Sequence, residues 1–292
     1  MSKTGSGQGK VLRARILGCG SSGGVPRLDG DWGDCDPKER KNRRQRCSLL
    51  IELANSLKAL DEDQATRVLI DTAPDLRNQW LEAGAPSLDG VVYTHSHADQ
   101  LHGIDDLRAL VYRRLEKLPA FALPAVAGEI TSRFGYIFET PPGSGYPPLM
   151  TMEAIETGAS ATIKGPGGPV SVQLFDVEHG RAPCAGIRCG PISYTPDVNG
   201  LNATAFEVLD GSSVWIVDAL REKPHPTHAH VEQSLSWLAQ VGPQLGILTN
   251  LHIDLDYRAL LGRLPDGVRP AYDGLSVTVD QDSGDILEIS KV

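Results

Sequence analysis

Hydrophobic positions along this chain fall into short runs separated by stretches rich in Gly, Pro, Asp and Ser. Val11 to Leu17 alternates Val11, Arg13, Arg15 and Leu17 against Leu12, Ala14 and Ile16, a period of two that predicts a first strand. Cys47 to Leu53 and Arg67 to Ile70 predict two more strands, joined by the polar turn around Asp61 to Gln64. Later runs read the same way at Gly90 to Tyr93, Phe121 to Gly128, Val170 to Phe175, Gly190 to Asp197, Ser213 to Val217, Leu245 to Thr249, Leu275 to Val279 and Ile286 to Ile289. Helical spacing replaces strand alternation in four places. Pro74 suits a helix start, with Leu76, Trp80 and Leu81 on one face up to Gly84. Ile104 to Leu115, Glu129 to Phe138 and the stretch carrying Val231, Leu235, Leu238 and Val241 are the others. Thr140 to Pro148 predicts a surface loop.

Candidate chemistry concentrates where the run Gly90 to Tyr93 ends, in Thr94-His95-Ser96-His97-Ala98-Asp99-Gln100-Leu101-His102. A strand fraying into a loop there presents two imidazoles, and Asp99 adds a carboxylate two residues on. A polar loop whose histidines only hydrogen-bond would explain a lone His-x-His. Three ligand-type residues at 95, 97 and 99 favour a borderline metal such as zinc, which accepts imidazole nitrogen and carboxylate oxygen together. The turn from Gly18 to Arg27 holds glycines whose backbone amides can approach an anion. It lacks a Gly-Lys-Ser/Thr ending and carries Pro26, so it is not a nucleotide-binding Walker loop.

The pattern Thr-His-x-His-x-Asp resembles the metal motif of the metallo-β-lactamase superfamily, His-x-His-x-Asp-His, with Gln100 standing where the last histidine is expected. The resemblance implies an α/β fold, a four-layer αββα sandwich, with one or two divalent metal ions, zinc or manganese, at one edge. It implies that His179 joins His95 and His97, and that Asp99 and Asp197 serve the second metal, Asp197 as the bridge. Asp197 sits where the zinc β-lactamases have Cys, which argues against a lactamase. Asp71 would support the metal loop by hydrogen bonds. The superfamily's last ligand would follow Thr249, where this chain has Asn250. The second site is thus either empty or rebuilt with His102 or His252, and His252 is favoured because two residues along an extended segment points the same way.

The glycine-rich first loop followed by an arginine-rich segment is similar to the subgroup containing phosphoribosyl cyclic-phosphate phosphodiesterases. Arg43, Arg44 and Arg46 are then expected to meet a phosphate through their planar donor forks. Among His225, His228 and His230, the resemblance places one histidine beside the scissile phosphate near a helix start, taken as His228. The implied reaction is hydrolysis of a phosphodiester in a small cyclic or nucleotide-like phosphate by a metal-bound water, with Asp99 orienting the water and His228 protonating the leaving oxygen. Two alternatives stay open: an RNA-processing ribonuclease of the same fold, and a non-catalytic anion- or cofactor-binding protein with a degenerate second metal site.

Composition narrows these. A chain of 292 residues with 40% hydrophobic and 22% charged residues is long enough for a full core. Residues 1–10 are expected to be a flexible tail and 11–292 a single hydrolase domain. No apolar run reaches the roughly 20 residues of a membrane span, which predicts a soluble, cytoplasmic protein without membrane partners. A formal net charge of −9 opposes bulk nucleic-acid binding and leaves a small phosphorylated substrate as the expected partner. Oligomeric state stays open. The five cysteines, Cys19, Cys35, Cys47, Cys184 and Cys189, lack paired spacing and are expected to be buried free thiols.

Overall fold

A strand covered on both faces needs apolar side chains at every position, whereas one with a wet face alternates. The structure, a computed structural model that describes residues 9–290, contains both kinds in two sheets. The first sheet begins with Val11–Gly18 (β1), Ser48–Ala54 (β2), Thr66–Ile70 (β3), Gly90–Val92 (β4), Leu118–Ala122 (β5) and Met150–Ala154 (β6). The second comprises Ser160–Ile163 (β7), Val170–His179 (β8), Ala182–Cys189 (β9), Ile192–Thr195 (β10), Val214–Asp218 (β11), Leu245–Thr249 (β12) and Val268–Pro270 (β13). Ser276–Asp280 (β14) and Ile286–Ile289 (β15) return to the first sheet. The orders are β15-β14-β1-β2-β3-β4-β5-β6 and β13-β12-β11-β10-β9-β8-β7.

Strands β3 to β6 run parallel in the first sheet and β10 to β13 in the second, and the remaining pairs are antiparallel. Each parallel step requires a crossover, and helices supply them. Leu76–Ala83 lies between β3 and β4, Arg108–Arg114 between β4 and β5, and Val231–Val241 between β11 and β12. On β11, Val214 and Ile216 join the core shared with the first sheet, while Trp215 and Val217 pack with Leu209, Leu238 and Leu260 from the outer helices. That two-sided burial accounts for the unbroken apolar run, and it produces the expected helix, sheet, sheet, helix layering.

The local reading needs correction at several points. The stretch 121–128 is not a strand throughout, because β5 ends at Ala122 and a helix occupies Pro124–Arg133. Proline in the first helical turn has its φ preset and lacks only an N–H that would have been unpaired, and Val126, Ala127 and Ile130 then form the buried face. The polar turn before β3 includes a short helix, Leu57–Asp61, started by Ser56, whose hydroxyl accepts from Ala59 N at 3.2 Å. Of the expected tail, residues 1–8 lie outside the described residues, and Lys10 Nζ donates to Gly167 O at 3.1 Å. All five cysteines are buried and unpaired with one another. No helix among the described residues is long and apolar enough to cross a membrane.

Candidate metal centre

Ligand-type residues gather where strands of both sheets end. Asp71 follows β3, His95 and His97 follow β4, and His179 closes β8. Asp197 follows β10, Asp218 closes β11 and Asn250 follows β12. In open α/β sheets the carboxyl ends of parallel strands form the crevice where ligands bind. Asp71 and Asn250 each turn the chain sharply there, with φ of 63° and 61°. These are left-handed values that Asp and Asn tolerate better than bulkier residues.

His95 is fully buried, and its environment fixes which nitrogen is free. Asp71 accepts Thr94 N at 2.8 Å and the Thr94 hydroxyl at 2.7 Å. Burial pushes Asp71 up to about 8, against the pull of these two bonds, and with the Thr94 hydroxyl donating to Asp71, Thr94 Oγ1 is left to accept His95 Nδ1–H at 3.0 Å. The lone pair of His95 Nε2 then faces inward, and that atom is buried without a hydrogen-bond partner. His179 is set in the same way, since Nδ1 lies 2.7 Å from Thr227 O, which can only accept. Its Nε2 therefore also carries a lone pair, 3.2 Å from His97 Nδ1. The three rings meet edge to face with centroids 4.6, 5.1 and 5.0 Å apart. Burial, and then the neighbouring imidazoles, hold His95 well below the ordinary histidine range, and burial pulls His179 down to about 4. Imidazole nitrogens converging on one point are what a divalent cation requires of its ligands. Helix Pro124–Arg133 steadies the loop, because Arg133 Nη1 donates to Ser96 O at 2.5 Å and Ser96 Oγ donates to Glu129.

A second group, His179, Asp197 and His228, shares one member with the first. Asp218 Oδ2 lies 2.8 Å from His228 Nδ1, so the imidazole donates there and keeps Nε2 for proton exchange. Burial pushes Asp218 up to about 6, an effect opposed by its bond to His228. Asp197 is raised well above the usual carboxylate range by burial and by the charges of Asp99, Asp218 and Asp71. Gln100 Nε2 donates to Asp197 Oδ2 at 3.0 Å, and Asn250 Nδ2 to Asp218 Oδ1 at 3.2 Å.

The structure thus brings His95, His97, His179, Asp197 and His228 together, with Asp99 close enough for its charge to add to the burial that raises Asp71 and Asp197. It does not bring in His252, whose Nδ1 lies 3.0 Å from an Asp254 oxygen without a hydrogen bond to it and which belongs to neither ligand group. The segment after Asn250 is not extended but turns back, Leu255 N donating to His252 O, so the two-residue argument fails. His102 packs edge to face on Phe134, centroids 5.7 Å apart.

The arginine run also departs from expectation. Arg43, Arg44 and Arg46 line a cleft of about 740 Å³ that includes none of the site histidines. Arg44 is a buried strut whose guanidinium donates to Leu255 O at 2.6 Å, His252 O at 3.2 Å and Asn42 Oδ1 at 3.2 Å. Arg46 pairs with Asp75 at 2.9 Å and Arg43 lies over Trp32. Arg44→Ala would leave buried carbonyls without donors and open a cavity, so it is expected to cost about 3 kcal/mol of stability with metal content unchanged. Urea denaturation measures this, and unaltered stability with a raised KM would return Arg44 to substrate binding.

Two other cations, Arg221 and Arg27, stand near His252 and His225, histidines outside the two ligand groups. His252 N donates to Leu220 O, which brings in Arg221, whose charge reaches both His252 and His225. The ring of His225 lies 5.1 Å from that of His228. Arg27 folds across Gly23, where a Cβ would meet Arg27 Nη1 at 1.5 Å, and its charge adds to the burial that lowers His252. The only sequence signal for these groups was their place in glycine-rich and histidine-rich loops. Asp218 had a better one, since like Asp71 and Asp197 it ends an apolar strand.

Residues 66–253 match the Beta-lactamase superfamily domain. A curated protein of Porphyromonas gingivalis (strain ATCC BAA-308 / W83), described as an octanoyltransferase, is 32% identical over 273 residues, covering 92% of this chain and 52% of that protein. The chain therefore spans about half the length of that relative. A crystal structure of a new diphosphatase from the PhnP family is 29% identical with a TM-score of 0.81, covering 93% of this chain and 98% of that one. Zn(2+)-bound PqqB from Methylobacterium extorquens shares the fold at 17% identity and a TM-score of 0.65, covering 90% of this chain and 99% of that one.

Proposed function

The chain belongs to the metallo-β-lactamase superfamily, and from that premise we propose that it is a metal-dependent phosphodiesterase acting on a small cyclic or nucleotide-like phosphate. The observation that carries this reading is the convergence of His95 Nε2, His97 Nδ1 and His179 Nε2, the first of them buried and unpartnered. Zinc or manganese held by these nitrogens would supply Lewis acidity to a phosphoryl oxygen and make water nucleophilic near neutral pH. The protein's own groups do the rest. Asp99 orients the attacking water, and Asp218 holds His228 Nδ1 so that Nε2 can hand a proton to the leaving oxygen.

The likeness to a PhnP-family diphosphatase supports phosphate-ester chemistry. Both sheets contribute to the site, which supports residues 11–292 acting as one hydrolase domain. The net charge of −9, set against a few cations near the histidines, favours a small anion over RNA. Acyl transfer through a cysteine, raised by the name of the Porphyromonas relative, finds little support, since burial raises the pKa of all five thiols.

The test is elemental analysis of the purified protein together with hydrolysis of bis(p-nitrophenyl) phosphate and of a nucleoside cyclic phosphate. Chelation should abolish turnover and re-addition of zinc or manganese restore it; a metal-free protein that cleaves neither ester would end the proposal. The basic groups near the histidines make a separate prediction. A hydrogen bond from a charged donor is worth roughly 1.5–3 kcal/mol, so Arg27→Ala is expected to raise KM about tenfold or more with metal content and kcat little changed. Steady-state kinetics with both esters checks it, and an unchanged KM would show that Arg27 only packs on Gly23.

A further inference from the structure

We propose that this chain binds one metal ion per molecule, the place of a second being taken by the side-chain amides of Gln100 and Asn250. The inference rests on the metal-dependent reading above. Gln100 and Asn250 stand where the resemblance expects histidines, and both are buried. Gln100 directs its NH2 group at Asp197 Oδ2, 3.0 Å away. Asn250 directs its own at Asp218 Oδ1, at 3.2 Å, and lies 3.1 Å from His228 Nδ1. An amide nitrogen has two N–H donors and no lone pair for a metal, and the one oxygen of these two amides left buried without a partner, Gln100 Oε1, is a neutral donor that suits zinc less well than the imidazole it replaces. Turning Gln100 over would set its oxygen against an oxygen of Asp197, so the hydrogen-bond pattern selects the orientation seen there. The positive end of each amide dipole thus lies against a carboxylate, the role a second cation would have filled.

Nothing nearby restores the lost imidazoles, because His102 lies against Phe134 and His252 against Asp254. The two possible ligand groups also compete for one atom. They share His179, whose Nδ1 is engaged with Thr227 O, which leaves Nε2 as its single available donor. One imidazole nitrogen holds one ion. The group His95, His97 and His179 keeps it, since it offers three imidazole nitrogens, whereas the other group has one oxygen of Asp197 already held by Gln100 and has the ring of His228 turned by its Nδ1 bond to Asp218.

The test is stoichiometry, read without reference to activity. Metal-free full-length protein titrated with Co²⁺ should saturate its visible absorption at one equivalent, and elemental analysis after zinc loading should give one ion per chain. In the Gln100→His/Asn250→His double variant both should rise to two. Histidine is among the residues enriched at left-handed φ, so position 250, at 61°, accommodates it. Two ions in the wild-type protein, or one in a folded double variant, would overturn the inference and leave the phosphodiesterase reading intact. The wild-type count decides the matter even if the double variant does not fold. A wild-type chain that takes up no metal would overturn both.

Discussion

Replacing His95 and His97 together by alanine is expected to empty the chain of metal and to lower phosphodiester turnover by roughly 10³-fold or more, the scale set by losing several kcal/mol of charge stabilisation at the phosphoryl group. The reason lies in tautomers fixed by neighbours. Asp71 and Thr94 hold the proton on His95 Nδ1, and Thr227 O holds that of His179 on Nδ1, so the lone pairs reach the centre already oriented. Removing two of three nitrogens leaves His179 alone, too few ligands for zinc at a site that normally offers three. His95 is wholly buried, and its loss also opens a cavity. His97→Ala alone therefore serves as the control, because that ring is exposed and its removal should cost little stability. Metal content, turnover and thermal unfolding measured together decide the outcome. Both variants retaining metal and rate at wild-type levels would exclude the histidine triad as the centre.

How much of this was legible beforehand follows from where the information lies. His95, His97 and Asp99 sit within five residues, so local spacing exposes them, and the apolar runs of β11 and β12 announce buried strands. His179 lies 84 residues beyond His95 and Asp197 lies 98 beyond Asp99, and only the resemblance could join them to the motif. Direction is what a linear pattern does not carry. His252 lies two positions beyond Asn250, and only the chain reversal closed by Leu255 N shows that its ring goes to Asp254 instead. Charge misled similarly: Arg44 reads as part of a basic patch, yet its guanidinium is enclosed by carbonyls of a segment more than two hundred residues away. The strand at 121–128 was lost to Pro124, since an apolar run shorter than a full helix fits either structure until its neighbours pack.

The second large effect is expected at His228. His228→Gln should reduce kcat for an alkyl phosphodiester by roughly 10²- to 10⁴-fold, the usual contribution of a positioned acid, while metal content stays at the wild-type value. Asp218, itself fully buried, holds His228 Nδ1 at 2.8 Å and so leaves Nε2 for the leaving oxygen. Asn250 holds the other oxygen of Asp218, which fixes the carboxylate that fixes the imidazole. A ring positioned in this way acts only when the leaving oxygen needs a proton. The same variant should therefore lose far less activity towards bis(p-nitrophenyl) phosphate, whose leaving group departs as a stable anion. Asp218→Asn, which removes the carboxylate charge and one of its two acceptor oxygens without touching the substrate, should reproduce that dependence on the leaving group in weaker form. An equal loss with both esters would assign His228 to binding rather than proton transfer. Loss of metal in His228→Gln would instead assign it to the centre, through the group it forms with His179 and Asp197.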